Sequence, residues 1–288
     1  MIENSIDYGK RFLPLLDELY KQESLTSDLL GDSAVVREGQ NVGEVSIAKL
    51  DMDGLGDFDR KSGYTEGNTT LTWETVKYDK ERSQTLKIDR LDQTESMDVV
   101  FGRLAKEFLR TRVCPETDAA RIAKIASTEG ISTKDETITD GETALKALRA
   151  GILDQDNNEV DYENKILYIR PEIKAYVDDV DSYKSKAVMA RFSKVVEMPP
   201  TRMYSGIDLK NGKEGYGYTK AAGAKDINFL IVDKNCIISD TREFLKYFSP
   251  EQDQDGDSHI FKYRNYNLYG YVYENKKAGI YVSFAPLG

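Results

Sequence analysis

The spacing of apolar positions predicts a helix at the start of the chain. Residues 6–30 carry apolar side chains at three- and four-residue steps, which is the spacing of one helix face. They are Phe12, Leu15, Leu16, Leu19 and Tyr20. The other positions are mostly polar, so this arm should pack by one face only. The pattern leaves open whether it packs against its own chain or another.

Residues 31–92 change to short runs of period two, separated by glycines. The runs 73–78 and 83–88 alternate on either side of the polar residues 79–82, which predicts a long β-hairpin. Residues 42–48 alternate as well. The sides of this ribbon are weakly apolar, and a two-stranded ribbon is marginal alone in water. We therefore expect it to lie against a partner surface.

Residues 92–113 have the clearest helical pattern. Asp92 can cap the helix, with Glu95 three residues on as in a capping box. One apolar stripe follows at helical spacing: Met97, Val100, Phe101, Leu104, Ala105, Phe108 and Leu109. Pro115 is expected to stop or kink this helix, and a second helical run should continue from 116 to about 126.

The rest of the chain alternates between predicted helices and strands. Helices are expected at 140–151 and from Pro171, where proline occupies the first turn. Strands are expected at 165–169, 187–198, 228–232, around 237–238, and over the aromatic segment 259–284 with a turn at 275–279. Residues 205–223 should be an exposed loop, and 240–248 should be helical or mixed. The predicted fold class is α+β.

Charge and hydropathy exclude several classes of protein. The net charge is −10 and the pI about 4.9, without any run of Lys and Arg that would indicate direct DNA binding. The mean hydropathy is −0.55, and no window approaches the roughly 20 apolar residues that a membrane span needs. The N-terminus has no basic flank before an apolar core, so we expect a cytosolic protein without a secretory signal.

Residues suited to chemistry are sparse. Cys114 and Cys236 are too few to form a cysteine metal site, and we expect buried free thiols. The single histidine, His259, is placed by its polar neighbours in a loop between strands and is not expected to act as a catalytic base. Gly215 and Gly217 stand in a sequence that lacks the ending of a phosphate-binding loop.

Three acidic clusters could in principle hold a cation through oxygen ligands. They are 154–158, which departs from the calcium-loop pattern at Glu159 and Lys165, then 253–257, and 51–54. We expect all three to be solvated turns. The sequence therefore predicts no metal site, no cofactor and no enzyme, although catalysis by carboxylates or lysines stays open.

Three stretches, taken in order, resemble the major capsid proteins of tailed bacteriophages with the Hong Kong 97-type fold. The first is 53–64 followed by 67–75. The second runs from 79–82 through 88–92 and 94–95 to 107–110 and 113–119. The third is 226–232 with 269–281. The second stretch resembles the descent from the family's extended loop into its spine helix. Cys114 and Thr117 depart from the hydrophobic residues expected there.

The resemblance implies a Hong Kong 97-like capsid fold with four parts. These are an N-terminal arm (1–45), an extended β-hairpin loop (46–91), a peripheral domain (92–130 and 248–288) and an axial domain (131–247). It implies self-assembly through pentamers and hexamers into an icosahedral phage head enclosing double-stranded DNA without sequence-specific contact. The location would be the virion, assembled in the host cytoplasm, with a separate scaffolding protein, a portal and no membrane.

Arm and ribbon would then lie across neighbouring subunits. The interface candidates are Phe12, Leu16, Tyr64, Trp73, Tyr78 and Arg82, of which Trp73 is the only tryptophan and could equally pack under its own hairpin. Two alternatives stay open. One is an encapsulin-like nanocompartment shell, which resembles the same fold, and the other is a cytosolic α+β enzyme or small-molecule binder.

Overall fold

The computed structural model describes residues 24–30, 36–38, 44–58, 60, 63–64, 66–89, 106–180, 183–253 and 256–286. The α-helices are α1 (Cys114–Ala126), α2 (Gly141–Asn157), α3 (Pro171–Asp179) and α4 (Tyr183–Met189). The strands are β1 (Val36–Glu38), β2 (Glu44–Met52), β3 (Thr69–Lys77), β4 (Lys80–Asp89), β5 (Ser132–Asp135), β6 (Lys165–Ile169), β7 (Lys194–Glu197), β8 (Ile207–Leu209), β9 (Tyr218–Lys220), β10 (Ile227–Asp233), β11 (Ile237–Phe248), β12 (Ser258–Val272) and β13 (Ile280–Phe284). The predicted α+β class is confirmed.

A five-stranded mixed sheet forms the centre of the fold, in the order β5-β13-β10-β6-β7. Alternate residues of its buried strands face opposite sides, so that Leu230 and Val232 pack with α1 while Phe229 and Ile231 pack with α2 and α3. Helix α2 approaches closely at Gly151, where a Cβ would come within 2.7 Å of Ile231. Burial on both faces explains why β6 and β10 are continuous apolar runs.

A second sheet, in the order β11-β12-β4, carries the helix that leads into α1. One face is covered by Leu109, Val113 and Cys114, which pack on Phe261 and Tyr263. The helix does not end at Pro115 but continues through it. A π-helical turn, Leu109–Val113, precedes α1, because proline removes one ladder hydrogen bond and crowds the turn before it. Most of the predicted helix 92–113 lies outside the described residues.

The third sheet corrects the predicted hairpin. Strand β3 pairs with β2 along its whole length, and not with β4. Strand β4 pairs instead with β12, from Lys80 opposite Asn267 to Asp89 opposite Ser258. Tyr78 and Asp79, which lie between β3 and β4, therefore mark a crossing between sheets. Alternation alone identified the strands correctly but could not distinguish among partners that alternate in the same way.

Other local predictions were mixed. The predicted strand 187–198 is helix α4 followed by the short strand β7, and 240–248 is the end of strand β11. The expected loop 205–223 contains the small antiparallel pair β8–β9. The helix 140–151 is confirmed and extends to Asn157, beginning at an Asp140–Thr143 capping box. The strands at 165–169 and 227–233, the proline-started helix α3 and the aromatic strands near the C-terminus are also confirmed.

The four-part domain division stays a prediction. Each large sheet combines segments from both sides of the expected boundary at 247/248. Strand β11 shares a sheet with β12, and β13 shares one with β10 and β6. Of the predicted arm helix 6–30, only 24–30 is described, and it forms a 3-10 turn, Ser27–Leu29, whose Leu29 is fully buried in the chain's own core.

Candidate assembly surface

Strands β2 and β3 form an antiparallel hairpin, which we call the projecting hairpin (44–77). Its nine-residue strands span about 27 Å at ~3.4 Å per residue. Because directly paired residues share a face, the register sorts the side chains into two faces. Leu50 pairs with Leu71 and Ala48 with Trp73 on one face, whereas Ile47 is opposite Glu74 on the other.

The distal half of the hairpin exposes one apolar face. Leu50, Met52, Leu71 and Trp73 lie on it, and each is at least 43% exposed. Most of the large apolar side chains exposed in the described residues lie between 50 and 73, because Leu55, Phe58 and Tyr64 in the connecting segment are exposed as well. Contiguous apolar surface of this kind marks a contact with another molecule. We call Leu50, Met52, Leu71 and Trp73 the apolar hairpin face.

The base of the hairpin is anchored on its other face. Val45 and Ile47 are fully buried and pack with Ile238 and Leu268 of the second sheet's strands, β11 and β12. The distal positions of the same face are polar. The hairpin is thus anchored at its base, while the apolar side chains of its far half are 43–63% exposed.

A polar network at the base fixes the direction of the hairpin. Lys49 pairs with Glu74 at 2.5 Å, and Tyr271 of β12 donates a hydrogen bond to Glu74 Oε2 at 2.8 Å. The hydrogen bond from Lys49, followed by that from Tyr271, holds the pKa of Glu74 below its usual value. Burial, followed by the bond to Glu74, raises the pKa of Tyr271 to about 12.

Neutralising Glu74 should loosen the hairpin base. Its folded-state pKa is depressed, so its contribution is present above the unfolded pKa of about 4.3 and is lost as pH falls through the folded value. We expect Glu74→Gln to speed amide exchange in β2 and β3 roughly threefold at pH 6, since half-exposed pairs contribute about 0.6 kcal/mol. Exchange rates corrected for intrinsic pH dependence check this.

The same comparison at pH 3.5 is the stricter readout. The difference between wild type and Glu74→Gln should then be smaller than at pH 6, because the contribution of the Glu74 charge falls once the pH drops below the unfolded pKa and towards the depressed folded-state pKa. Glu66→Gln, at an exposed position in the connecting segment, is the matched control and should match wild type at both pH values. A wild-type–variant difference that persists unchanged at pH 3.5 contradicts the role of the Glu74 charge.

Two further predicted interface residues have partners in their own chain. Tyr78, half-buried after β3, donates to Asp240 Oδ2 at 2.5 Å. Burial, followed by this bond, raises the pKa of its phenol. Arg82 of β4 forms a bidentate pair with Glu116 of α1, at 2.7 and 3.0 Å, and donates to the Lys210 carbonyl at 2.6 Å. Both residues tie elements of one protomer together.

The predicted interface residues therefore separate into three groups. Trp73 lies on the apolar hairpin face and is 43% exposed, and Tyr64 lies in the connecting segment and is 91% exposed. Tyr78 and Arg82 are engaged within the protomer. Phe12 and Leu16 lie outside the described residues. The role of all six in an interface stays a prediction.

Sequence reasoning missed an anchor for the start of the described chain. Asp118 of α1 is fully buried and accepts hydrogen bonds from Ser24 Oγ at 2.7 Å, Thr26 Oγ1 at 2.6 Å and the Leu25 amide at 3.0 Å. Arg202 adds a fourth bond at 3.0 Å. Because the partners are more than 80 residues away along the chain, no local pattern marks this site.

The residues considered for chemistry have structural surroundings. Asp156 lies at the end of α2 and pairs with the fully buried Lys165 and with Arg191 at 2.6 Å. Burial would raise the pKa of Asp156, but the hydrogen bonds from these cations outweigh it and lower the pKa. Two cationic side chains thus pair with a carboxylate of the segment 154–158 that was considered as a calcium loop. Within the described ranges, no group of three His, Cys, Asp or Glu could hold a metal.

His259 lies in β12, not in the loop predicted from its neighbours. Its Nδ1 is 2.5 Å from the Tyr247 hydroxyl, and the two rings stack. The cysteines are confirmed as buried free thiols, and burial raises the pKa of Cys236 to about 12. In the part of the chain that the structure describes, no helix is long and apolar enough to cross a membrane.

A groove of about 360 Å³ runs between the second sheet and the helix that covers it. Arg82, Phe108, Arg112, Glu116 and Tyr263 line it, and the β8–β9 loop closes one side. Two of the charged residues that line it, Arg82 and Glu116, form an ion pair with each other. Among the described residues that line the groove there is neither a histidine nor a cysteine.

No family model matches the chain, and no curated protein sequence matches it. Solved structures do. A virus-like particle protein from Pyrococcus furiosus is 15% identical, with a TM-score of 0.59 over 96% of this chain and 99% of that one. The mature capsid of bacteriophage PhiM1 is 10% identical, with a TM-score of 0.55 over 85% and 83%. The capsid of Myoviridae phage XM1 is 10% identical, with a TM-score of 0.54 over 91% of both chains.

These likenesses confirm the predicted Hong Kong 97-like capsid fold. They extend over most of the chain, so the central mixed sheet and the helix-backed second sheet both belong to the fold. At identities of 15% and below, what the chain shares with these structures is the arrangement of the backbone.

Proposed function

We propose that this chain is the major capsid protein of a tailed bacteriophage, which assembles into an icosahedral head around double-stranded DNA. The observation that carries the proposal is the apolar hairpin face, exposed on a chain that has a capsid fold over most of its length. Soluble monomers rarely expose a contiguous apolar surface of this kind, whereas a subunit that awaits a neighbour does.

Self-association gives the apolar hairpin face a partner in every copy. A heterologous contact repeated around a symmetry axis closes a ring, and such rings can tile a shell. Each contact can be modest, because many simultaneous contacts per subunit sum to a stable particle. Pentamers and hexamers, a separate scaffolding protein, a portal and enclosed DNA belong to this proposal.

The role is structural, without cofactor or catalysis. The acidic chain would repel DNA from most of the wall, which suits a container that must release its contents. The proposed location is the virion, after assembly in the cytoplasm of the host. Sedimentation velocity of the purified chain, with and without added salt, tests the proposal. Rings or closed particles are expected, and a monomer under every condition contradicts it.

A cellular nanocompartment shell is the second candidate. It is favoured by the likeness to the Pyrococcus furiosus virus-like particle, which covers 96% of this chain. The two functions differ in what particles purified from cells contain. Double-stranded DNA of uniform length supports the phage head, whereas one co-purified protein species and no nucleic acid supports the nanocompartment.

Trp73 provides a direct report on whether the hairpin becomes covered. It is the only tryptophan and is 43% exposed in the free protomer. On assembly its emission should shift to the blue, and acrylamide quenching should fall at least twofold. The double variant W73F/Y183W is the control, because Tyr183 is exposed, and no shift is expected for it. Unchanged quenching of Trp73 in assembled particles contradicts burial of the apolar hairpin face.

A further inference from the structure

The outer face of the second sheet is basic, in contrast to the chain as a whole. Alternate residues of β4, β11 and β12 point away from the covering helix, and most of them are exposed, although Ile260 is buried. We call the basic face the set Phe244, Lys246, Lys262, Arg264 and Lys87. Among the strand positions whose exposure the structure describes, Glu81 is the one exposed acid on this face. The sequence showed no basic run, because the cations come from three separate strands.

Two cations of the basic face lie side by side without a carboxylate partner among the described residues. One of them, Lys262, lies 5.1 Å from the centroid of the Phe248 ring. Lys246 lies directly opposite Lys262 in the β11–β12 register. Like charges in this position destabilise a sheet. By contrast, Arg264 pairs with Glu81, and Lys87 lies 4.0 Å from Asp253. Among the residues that the structure describes, no carboxylate forms an ion pair with Lys246 or Lys262.

An exposed aromatic ring adjoins this pair of lysines. Phe244 is 50% exposed and lies directly opposite Arg264. Its ring is nearly perpendicular to that of Tyr266, with 5.8 Å between the two centroids. The surface therefore offers two positive charges beside one apolar contact. A matching partner would carry at least two carboxylates and an exposed large apolar side chain.

The tip of the projecting hairpin has this composition. Residues 51–58, which we call the acidic tip, contain Asp51, Asp53 and Asp57 and no basic residue. Leu55 is completely exposed, and Phe58 is 60% exposed with its ring centroid 5.2 Å from that of Tyr64. Over 51–61 the four aspartates, including Asp59, outweigh Arg60 and Lys61, for a net charge of −4 + 2 = −2.

We infer that the acidic tip of one copy docks on the basic face of another copy, with Asp53 and Asp57 neutralising Lys246 and Lys262. Leu55 or Phe58 then packs against Phe244. The inference rests on the proposed function, since it names the surface that receives the hairpin. A second copy is favoured over nucleic acid because, in the described part of this face, two cations lack a carboxylate partner, which suits two carboxylates better than a continuous phosphate backbone.

Charge exchange tests the contact in the full chain. K246E/K262E and D53K/D57K should each lower the fraction of protein in particles at least tenfold at a fixed concentration. The quadruple variant restores both the attraction and the net charge of −10, since the changes of −4 and +4 cancel. It should recover to within threefold of wild type. A quadruple variant as defective as either double variant overturns the inference, and so do double variants that assemble normally.

Two controls separate this contact from folding and from net charge. Lys246→Glu places Glu opposite Lys262, so the Tm of this protomer should not fall below wild type while its assembly weakens. The double variant K146E/K184E changes the net charge by −4, as K246E/K262E does, but at exposed helix positions. It should assemble within threefold of wild type. A lower Tm for Lys246→Glu, or equal loss in the helix control, overturns the inference.

Mixing the double variants distinguishes failure of the contact from failure of the shell. K246E/K262E and D53K/D57K can form the exchanged contact only with each other, so a 1:1 mixture should associate at least tenfold more tightly than either alone. This readout holds even if wild type forms no particles, which would reject the proposed function alone. A mixture that stays dissociated overturns the inference. Loss of single-stranded DNA binding in K246E/K262E, with normal assembly of D53K/D57K, also overturns it and assigns the face to nucleic acid.

Discussion

Removing the distal half of the projecting hairpin should abolish assembly and leave the protomer folded. The deletion covers 49–72 and joins Ala48 to Trp73, which are directly paired, through an Asn-Gly turn. It removes Leu50, Met52 and Leu71 together with the acidic tip, but keeps the buried base residues Val45 and Ile47. We expect no particles at a concentration tenfold above that at which wild type assembles.

The folded state should survive because the deleted segment contributes almost no core. The Tm is expected to stay within about 4 °C of wild type, which corresponds to about 1 kcal/mol for a chain of this size. A longer cut that reaches β4 is a different experiment, because β4 pairs with β12 and its Leu86 contacts the core under α1. That variant should unfold. A short deletion that unfolds the protomer, or one that still assembles, contradicts the division into anchored base and free distal half.

Asp118→Ala should cause the largest loss of stability of any single substitution considered. The carboxylate is fully buried and receives four hydrogen bonds. Alanine leaves the donors of Ser24, Thr26 and Arg202 in a dry site, and breaking a buried pair on one side costs about 3–5 kcal/mol. We expect the Tm to fall by about 10 °C or more.

The exchange pattern should also locate this loss. Residues 24–30 lose their anchor, so their amides should exchange far faster in Asp118→Ala than in wild type. Asp208→Ala removes an exposed carboxylate from β8 and should change the free energy of unfolding by less than about 0.5 kcal/mol. Equal losses of unfolding free energy for the two substitutions would mean that Asp118 does not anchor residues 24–30.

Local patterns were sufficient for elements that depend on neighbouring residues. Asp140 and Thr143 mark the start of α2, Pro171 starts α3, and the apolar runs of β6 and β10 indicate burial on both faces. Such signals are short-range, so a single sequence contains them in full. The fold was anticipated through an ordered resemblance, which local patterns alone could not supply.

Strand pairings and contacts between residues distant in the chain could not be predicted from local patterns. Strand β3 alternates like its neighbours, and nothing in its sequence selects β2 over β4. Strand β11 from 240 on has alternating charged and aromatic residues that fit a helix or a strand equally well. The basic face combines residues of β4, β11 and β12, and the Asp118 anchor joins residues more than 80 positions apart. These features exist only once the sheets have formed.

The apolar hairpin face links the fold to the proposed role. The sequence indicated that the ribbon needs a partner, and the register sharpens this to one face of its distal half, because its base is already packed on Ile238 and Leu268. Free energy from burying Leu50, Leu71 and Trp73 would then be available only in the assembly.

Electron microscopy of the purified full-length chain tests the central claim most directly. Closed icosahedral particles are expected at micromolar concentration, with the density of each projecting hairpin lying against an adjacent subunit. A protein that stays monomeric across salt concentrations, with or without a co-expressed scaffolding protein, contradicts the account.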